Sequence, residues 1–383
     1  MDQLNSHVLA GLGLLAVVSL LAVPREGRVG TTLATFVVGL VLVLAGIRWT
    51  SNEAGYFPLT HALRLVAGAE RELKAAIADP AVSRILLFEG SSYSARGLDG
   101  HLIAREFSEQ TGVGTASVQL TLDGSNHFER YWMLSIVISR LDQAAQREAL
   151  RRKELVLMME IQSRYDLDPL NNFTRNERTY RTYAYMGPGN ALAALHSLAL
   201  NGTGKPATAL AVLEHVAINM SSLGGFRRMS RIDGLRVSPG YLPLDGSKAG
   251  YRYKKGPRVQ AALRHVAAWR REDRLVARAG KELAWIGPVR VARFDELLDG
   301  MLDRRMFYAV ASADPADVYH VATFCAVRQD GACLDYEDAG LMSSLDGSAY
   351  WNDDRHLTRA GARVFSHWFA GRLAAGFGAE SAR

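Results

Sequence analysis

The sequence predicts an α/β domain that is built on a mainly parallel sheet and preceded by two membrane-spanning helices. Three observations lead to this prediction. Two apolar segments without charged residues occupy most of the first fifty of the 383 positions. Beyond them, apolar runs of strand length alternate with helical patterns about every 30–40 residues, as in βα units. The whole chain, with 48% apolar and 22% charged residues, has the composition of a globular protein.

The two apolar segments are Val8–Val23 and Thr31–Ile47. As helices, each would be roughly 25 Å long, slightly short of a hydrocarbon core of about 30 Å. The loop between them carries Arg25 and Arg28, so the positive-inside rule places this loop in the cytoplasm. Both termini, and the whole chain beyond the second segment, would then lie outside the cytoplasm. Arg48 reduces the charge asymmetry on which this topology depends. The alternative is a cleaved signal peptide followed by a buried helix, which the absence of a positive charge in "MDQLNSH" disfavours.

The alternation of helices and strands begins after the second segment. Helical spacing of apolar residues predicts a helix that ends at a proline, and apolar runs predict three strands. In chain order these elements are a helix over His61–Pro80, a strand over Arg84–Glu89, a loop and helix over Tyr93–Gly112, and strands over Thr115–Leu122 and Lys153–Gln162. The alternation resumes with "RMFYAVASADP" and "DVYHVATF", and an amphipathic helix follows Thr358.

Between about residues 165 and 274 the alternation is interrupted. Two Ala- and Leu-rich helical stretches, "NALAALHSLALNG" and "ATALAVLEHVAINMSSLGG", are followed by a stretch rich in Arg and Lys. We interpret this part as a helical and basic insertion, whose surface is either simply solvated or a docking surface for the membrane or a membrane partner. The predicted organisation is a two-helix anchor over 1–50, a linker with a juxtamembrane helix over 51–83, and the α/β domain with its insertion over 84–383.

The net charge of +6 suggests weak attraction to anionic surfaces such as lipid head groups or acidic glycans. Nucleic-acid binding is not predicted, because the sequence has no zinc-ligand set, RNA-binding motif or aromatic-basic repeat. Two cysteines, Cys325 and Cys333, flank a predicted turn at Arg328–Gly331. In an oxidising compartment they can form a disulfide across a short hairpin-like loop, whereas in a reducing cytoplasm they would remain free thiols.

Two stretches that lie far apart in the chain carry candidate chemistry. The first predicted strand ends in "GSS", which puts Ser91 and Ser92 at a strand-to-helix turn on the carboxyl edge of the sheet, where α/β folds bind ligands. The N-terminus of the following helix would add free N–H groups and a favourable dipole. Near the end of the chain, Asp353 precedes His356 by three positions, so that a carboxylate can orient an imidazole. Each stretch also has an ordinary explanation, since serines cap helices and Asp and His are common in loops.

Taken together, "GSS" after the first strand and "DDRHLTRAGA" near the end resemble the SGNH (GDSL-like) hydrolase superfamily, over roughly residues 84–377. The resemblance implies a flavodoxin-like three-layer α/β sandwich. "FCAVRQDGAC" followed by "YWNDDRHLTRAGA" is similar to the SGNH domains of bacterial polysaccharide O-acyltransferases, which tend to carry a cysteine pair at this place. "GSS" in place of Gly-Asp-Ser is similar to the membrane-tethered, DltD-like proteins that transfer D-alanine to teichoic acids.

The resemblance implies a role for each matching position. Ser92 would be the nucleophile, His356 the general base and Asp353 the carboxylate that orients it, with Asp354 as the rival orienter. Two lone histidines near the motifs are expected to be structural: His101 and His127.

The second family block matches at Gly124, whose backbone N–H would form the oxyanion hole together with that of Ser92. Asn126 is near enough to add a side-chain amide. The third block, Gly-x-Asn-Asp, is missing after the third strand. Replacement donors could come from the following residues: Gln162, Ser163 or Asn190.

The resemblance implies a membrane-anchored serine enzyme of the bacterial inner membrane with its catalytic domain in the periplasm. It would take an acyl group, expected to be acetyl, onto Ser92 and pass it to a hydroxyl of an exported or surface polysaccharide, without a metal or organic cofactor. A membrane-bound O-acyltransferase is the expected partner, since two spans are too few to bring an acyl group across the bilayer. Two alternatives stay open: a carbohydrate O-acyl esterase with the same residues, and a degenerate SGNH domain that binds glycan or scaffolds a synthase complex.

Overall fold

The computed structural model describes residues 39, 60–141, 144–161, 188–201, 206–221, 241–246, 253, 256–272, 274, 292–327 and 332–381. Within these ranges no helix is both long enough and apolar enough to cross a membrane. The two predicted membrane-spanning segments, apart from Gly39, lie outside the described residues. The two membrane spans therefore stay a prediction.

Among the described residues, five parallel strands form one sheet in the order β2-β1-β3-β4-β5. The strands are β1 (Arg84–Gly90), β2 (Thr115–Thr121), β3 (Glu154–Glu160), β4 (Arg304–Tyr308) and β5 (Ala332–Leu334). This is a doubly wound order in which the direction of strand addition reverses between β1 and β3, and ligands bind at such a switch point. The predicted α/β class and parallel sheet are confirmed.

Helices cover both faces of the sheet. They are α1 (Thr60–Ala78), α2 (Ser92–Gly97), α3 (Gly100–Thr111), α4 (His127–Ser139), α5 (Ala144–Arg151), α6 (Pro188–Asn201), α7 (Pro206–Ser221), α8 (Gly256–Arg271), α9 (Pro315–Val327), α10 (Ala339–Ser344) and α11 (Arg359–Ser381). The β1-to-β2 and β2-to-β3 connections run in opposite directions, so right-handed crossovers place α2 and α3 on one face and α4 and α5 on the other. The last helix, α11, packs on α2 and α3, and α1 packs on α4 and α5.

The hydrophobic core lies on both sides of β1 and β3, which are buried along almost their whole length. On one side, Phe88 of β1 packs against Phe369 of α11 at a centroid distance of 6.3 Å. Helix α1, predicted to be part of a linker, contributes Leu65, Val66 and Leu73 to the same core, all three without solvent exposure. Burial of this apolar face fixes α1 to the sheet domain.

Two features of the C-terminal half differ from the sequence-based expectation. The segment "DVYHVATF" lies in helix α9, because Pro315 can start a helix and Val318, Val321 and Ala322 follow helical spacing and are buried together. The next strand, β5, is only three residues long and was not predicted. Cys325 and Cys333 do form a disulfide, but it joins the last turn of α9 to β5 and not two arms of a hairpin.

The two predicted helices of the insertion are present as α6 and α7, which pack on each other and on Phe128 of α4. Their outer surface carries three large exposed apolar side chains: Leu192, Leu210 and Leu213. Most of the basic stretch that follows lies outside the described residues. Residues 241–246 contact the sheet domain, where Leu242 N donates to the Ala95 carbonyl at 2.6 Å.

Candidate active site

The turn after β1 carries the serine predicted as nucleophile. Ser91 is the N-cap of α2, its Oγ accepting a hydrogen bond from Tyr93 N at 3.4 Å, and Ser92 is the first residue of the helix. Only glycine fits at position 90, because a Cβ there would lie 2.5 Å from Ser94 Oγ and 2.8 Å from Glu160 Oε2. Since α2 has only six residues, the predicted helix dipole adds little, and individual N–H groups matter more.

A closed loop before α11 carries the predicted base. Trp351 and Leu357, both fully buried, pair as an antiparallel bridge at the two ends of this loop. The Trp351 Nε1–H donates to the Leu345 carbonyl at 2.8 Å. Thr358 caps α11, since its Oγ1 accepts from Gly361 N at 3.3 Å. The residues between the two ends are therefore held from both sides.

Ser92, His356 and Asp353 form a continuous chain of hydrogen-bonding groups. Ser92 Oγ lies 2.9 Å from His356 Nε2, and His356 Nδ1 lies 2.8 Å from Asp353 Oδ1. Asp353 Oδ1 also accepts from the backbone N–H groups of Arg355 and His356, each at 3.0 Å. The side chains of His356 and Asp353 are 23% and 19% exposed, so the site is open to a substrate but largely shielded from solvent.

The neighbouring carboxylate, Asp354, has a different place in the same loop. Its backbone carbonyl accepts from Ala313 N at 2.9 Å and from Ser312 Oγ at 3.4 Å, which ties the loop to the segment after β4. The ring of His356 pairs with Asp353. Of the two orienters weighed from the sequence, the geometry favours Asp353.

The loop after β2, which carries Gly124, lies against the end of β1. Leu122 N and Ser125 Oγ both donate to the Gly90 carbonyl at 3.0 Å. Gly124 has a φ of +67°, a left-handed conformation that glycine adopts without steric cost. The predicted second block is thus adjacent to the nucleophile turn.

The candidate oxyanion donors differ in their surroundings. Among the described residues, the backbone N–H of Ser92 has no hydrogen-bond partner, so it is available to a substrate oxygen. Asn126 is wholly buried as the N-cap of α4, and its Oδ1 accepts from Glu129 N at 3.0 Å. Arg96 Nη2 binds Asp123 Oδ2 at 2.6 Å, which links α2 to the loop after β2.

Sequence reasoning missed a buried polar group behind His356. The Tyr93 ring lies 5.5 Å from the His356 ring, centroid to centroid, and the Tyr93 hydroxyl donates to Asp317 Oδ2 at 3.1 Å. Ser312 Oγ donates to the same oxygen at 2.7 Å. Burial raises the pKa of Asp317 to about 6, and burial together with the charge of Asp317 raises the pKa of Tyr93 well above its usual value. Tyr93 is therefore a neutral side chain that packs against the imidazole.

Two glutamates that end the central strands were also missed. Glu89 and Glu160 are wholly buried, and both contact the buried guanidinium of Arg130, at 3.4 and 3.2 Å. Glu160 Oε1 in addition accepts from Ser91 Oγ at 2.5 Å. A signal was present, because an acidic residue closes each of the apolar runs "RILLFE" and "LVLMME", and parallel strands end at the same edge of a sheet.

The remaining predicted residues are not part of the Ser92–His356–Asp353 hydrogen-bond chain. His101 on α3 has a side chain that is 71% exposed, and His127 begins α4 with its ring 4.0 Å from that of Phe128. Asn190 lies in the first turn of α6, where it accepts a hydrogen bond from Arg293. Two candidate donors lie outside the described residues: Gln162 and Ser163.

Within the described part of the chain, no group of three or more His, Cys, Asp or Glu side chains could hold a metal ion. No family model matches the sequence, and no curated protein matches it. A weak match among solved structures is the lipase Lip_vut3 from a goat rumen metagenome, at 8% identity and a TM-score of 0.29, over 76% of this chain and 96% of the lipase chain. A similarity at this level assigns neither a family nor an activity to the chain.

Proposed function

We propose that this protein is a serine acyltransferase of SGNH type, which carries an acyl group on Ser92 and passes it to a polysaccharide hydroxyl. One observation carries the proposal: Ser92 Oγ, the His356 imidazole and the Asp353 carboxylate are linked by contacts of 2.9 and 2.8 Å. This is the arrangement that activates a hydroxyl at neutral pH, since the base must reach the hydroxyl and a carboxylate must fix the imidazole tautomer.

In the first half-reaction, Ser92 Oγ attacks the acyl carbonyl carbon while its proton passes to His356 Nε2. Asp353 accepts the Nδ1–H of His356 and stabilises the imidazolium that forms. The carbonyl oxygen becomes an oxyanion, which the N–H groups of Ser92 and Gly124 stabilise. The bond to the leaving group then breaks, His356 returns the proton to the leaving oxygen, and acyl-Ser92 remains.

In the second half-reaction, a hydroxyl of the acceptor takes the place of the leaving group. His356 removes its proton, the acceptor oxygen attacks the acyl-Ser92 carbonyl, and collapse of the intermediate returns the proton to Ser92. When the acceptor is a sugar hydroxyl the outcome is transfer, and when it is water the outcome is hydrolysis. The partial exposure of His356 and Asp353 favours esterase activity as the second candidate function, because water can reach the base.

The proposal also covers the acyl group, its acceptor, the cellular location of the site and the donor partner. The acyl group is acetyl, the acceptor is an exported or cell-surface polysaccharide, and the site lies on the periplasmic side of a bacterial inner membrane, anchored by the two apolar segments of the N-terminus. A membrane-bound O-acyltransferase delivers the acyl group to Ser92. The sequence supports this setting through its uncharged segments and through the resemblance of "FCAVRQDGAC" and "YWNDDRHLTRAGA" to the SGNH domains of polysaccharide O-acyltransferases.

The test uses the purified full-length chain and p-nitrophenyl acetate. We expect release of p-nitrophenol and one acetyl adduct by intact mass, and we expect Ser92→Ala to lose the adduct and to lower kcat/KM by on the order of 10⁴-fold. Asp353→Asn should lose a similar factor, whereas Asp354→Asn serves as the matched control and should retain activity. Equal behaviour of the wild type and Ser92→Ala would show that Ser92 is not the nucleophile. Loss of polysaccharide acetylation in cells that carry Ser92→Ala distinguishes transfer from hydrolysis.

A further inference from the structure

A carboxylate from the next strand encloses the nucleophile turn. Glu160, the last residue of β3, accepts from Ser91 Oγ at 2.5 Å and from Arg130 Nη2 at 3.2 Å with Oε1. With Oε2 it accepts from the backbone N–H groups of Ser91 at 2.9 Å and Ser94 at 3.1 Å, and it binds the Ser94 hydroxyl as well. Apart from Arg130, these donors belong to the turn that carries Ser92.

These contacts leave the turn little freedom to move. Ser92 lies between Ser91 and Ser94, whose N–H groups both point to one carboxylate oxygen. The same oxygen would lie 2.8 Å from a Cβ at position 90, so the Gly90 backbone packs directly on it. A rotation of the turn that redirected Ser92 Oγ would break these hydrogen bonds in a fully buried place, where no water can replace them.

The arginine that pairs with Glu160 also binds the loop after β2, which carries Gly124. Arg130 donates from Nε to Ser125 Oγ at 3.1 Å and from Nη2 to the Ser125 carbonyl at 3.0 Å. Ser125 follows Gly124, the second candidate oxyanion donor. The two parts of the site that must face the acyl carbonyl are therefore connected through one buried bridge.

We propose that Glu160 is the positioning residue of the nucleophile, which aims Ser92 Oγ at His356 and keeps the Ser92 N–H free for the substrate oxygen. This inference rests on the proposed function only in taking Ser92 as the nucleophile. It also explains the "GSS" sequence. Gly90 leaves room for the Glu160 carboxylate, and Ser91 donates a hydrogen bond to it. A carboxylate at position 91, as in Gly-Asp-Ser, would place a second negative charge beside Glu160.

The test compares Glu160→Gln with Glu89→Gln in the full-length chain. Both replacements remove one buried carboxylate from the same arginine, and the Glu160 carboxylate in addition accepts from the backbone N–H of Ser91 in the nucleophile turn. We expect Glu160→Gln to lower kcat by about tenfold or more while KM is unchanged, because a small displacement of a reacting group slows the reaction strongly. The rate at which a fluorophosphonate labels Ser92 should fall by a similar factor. Glu89→Gln, which acts on this turn through Arg130, should lose much less of both rates in its folded fraction. Equal losses in the two variants, or no loss in Glu160→Gln, overturn the proposal.

If Glu160→Gln does not fold, Ser94→Ala removes a single donor of the carboxylate and should lower kcat, again without a change in KM. A second readout does not depend on activity. The ¹⁵N resonance of His356 Nε2 should shift on Ser92→Ala in the wild type but not in the Glu160→Gln background, where the hydrogen bond is already lost. If Ser92→Ala leaves activity intact, the proposed function fails, and this resonance still decides whether Glu160 positions Ser92. The same shift in both backgrounds overturns the positioning role.

Discussion

Asp317 holds a proton more readily than a surface aspartate because it is buried behind the His356 ring. Burial raises its pKa to about 6, and the neighbouring Asp314 charge adds to this effect, while hydrogen bonds from Ser312 and Tyr93 oppose it. Tyr93 therefore connects the imidazole to a group that titrates just below neutral pH. The charge of this group affects the stability of the fold as well as the surroundings of His356.

Asp317→Asn should change how stability depends on pH. The pKa of Asp317 is higher in the folded protein than its ordinary value of 3.8, so between about pH 4 and 6 the folded state binds more protons than the unfolded state, and stability falls as pH rises. Two pKa units correspond to about 3 kcal/mol. Urea unfolding at pH 4 and pH 7 should show that the wild type loses roughly 2–2.5 kcal/mol more over this range than the Asn variant, since at pH 4 the unfolded aspartate is already partly ionised. Parallel curves for the two proteins would contradict a raised pKa.

At the scale of single elements, the first turn of α11 holds the loop that carries Asp353 and His356. A Cβ at Gly361 would lie 2.2 Å from the Tyr350 carbonyl oxygen, which already accepts from Thr358 N at 2.9 Å. The absence of a side chain at position 361 therefore allows the helix to pack on the backbone that precedes the loop. The position of the base depends on this contact between backbone atoms.

Gly361→Ala should lower the free energy of unfolding by about 2 kcal/mol or more, because the added methyl group meets backbone that cannot move aside. It should also lower kcat, since the loop that holds His356 must shift. Gly371→Ala, ten residues further along the same helix, is the matched control: nothing lies within 4 Å of its added Cβ, so it should stabilise the protein by roughly 0.5–1 kcal/mol through helix propensity. Chemical denaturation of both variants makes the comparison, and equal effects at the two positions would refute the packing argument.

The sequence predicts elements well where the apolar pattern is long and uninterrupted. The buried runs of β1, β2 and β3 and the proline or glycine ends of α1 and α3 fall within a few residues of the predictions. The prediction was wrong for "DVYHVATF", because eight apolar-rich residues fit either a strand or a helix until their burial partners are known. The three residues of β5 are too few to give a periodic signal at all.

The candidate site could be predicted only in part, for a similar reason. Ser92, Asp353 and His356 stand in recognisable local patterns, and the fold brings them together across 264 positions. Glu160 closes an apolar run, but its pairing with Arg130 is not visible in the sequence, because it depends on β1 and β3 being neighbours and on α4 beginning beside them. Tyr93 and Asp317 were missed because a tyrosine and an aspartate acquire their role only through burial.

At the scale of the whole molecule, the Cys325–Cys333 disulfide joins α9 to the edge strand β5. It closes a short loop, since the two cysteines are eight positions apart, and such a link is worth about 2.5 kcal/mol by the entropy of loop closure. β5 has three residues and one neighbour among the strands that the structure describes, so it depends on this link more than the central strands do. A disulfide of this kind persists in an oxidising compartment.

The redox state of this pair in cells tests where the domain lies. If the chain beyond the apolar segments is outside the cytoplasm, trapping with an alkylating reagent should leave both cysteines unmodified unless a reductant is added first, because they are already joined. A chain that lacks residues 1–50 would stay in the cytoplasm and should be alkylated at both positions without reductant. The double variant Cys325→Ser/Cys333→Ser gives the background mass. Full alkylation of the complete chain would place the domain in a reducing compartment, and the polysaccharide acceptor would then be out of reach of Ser92.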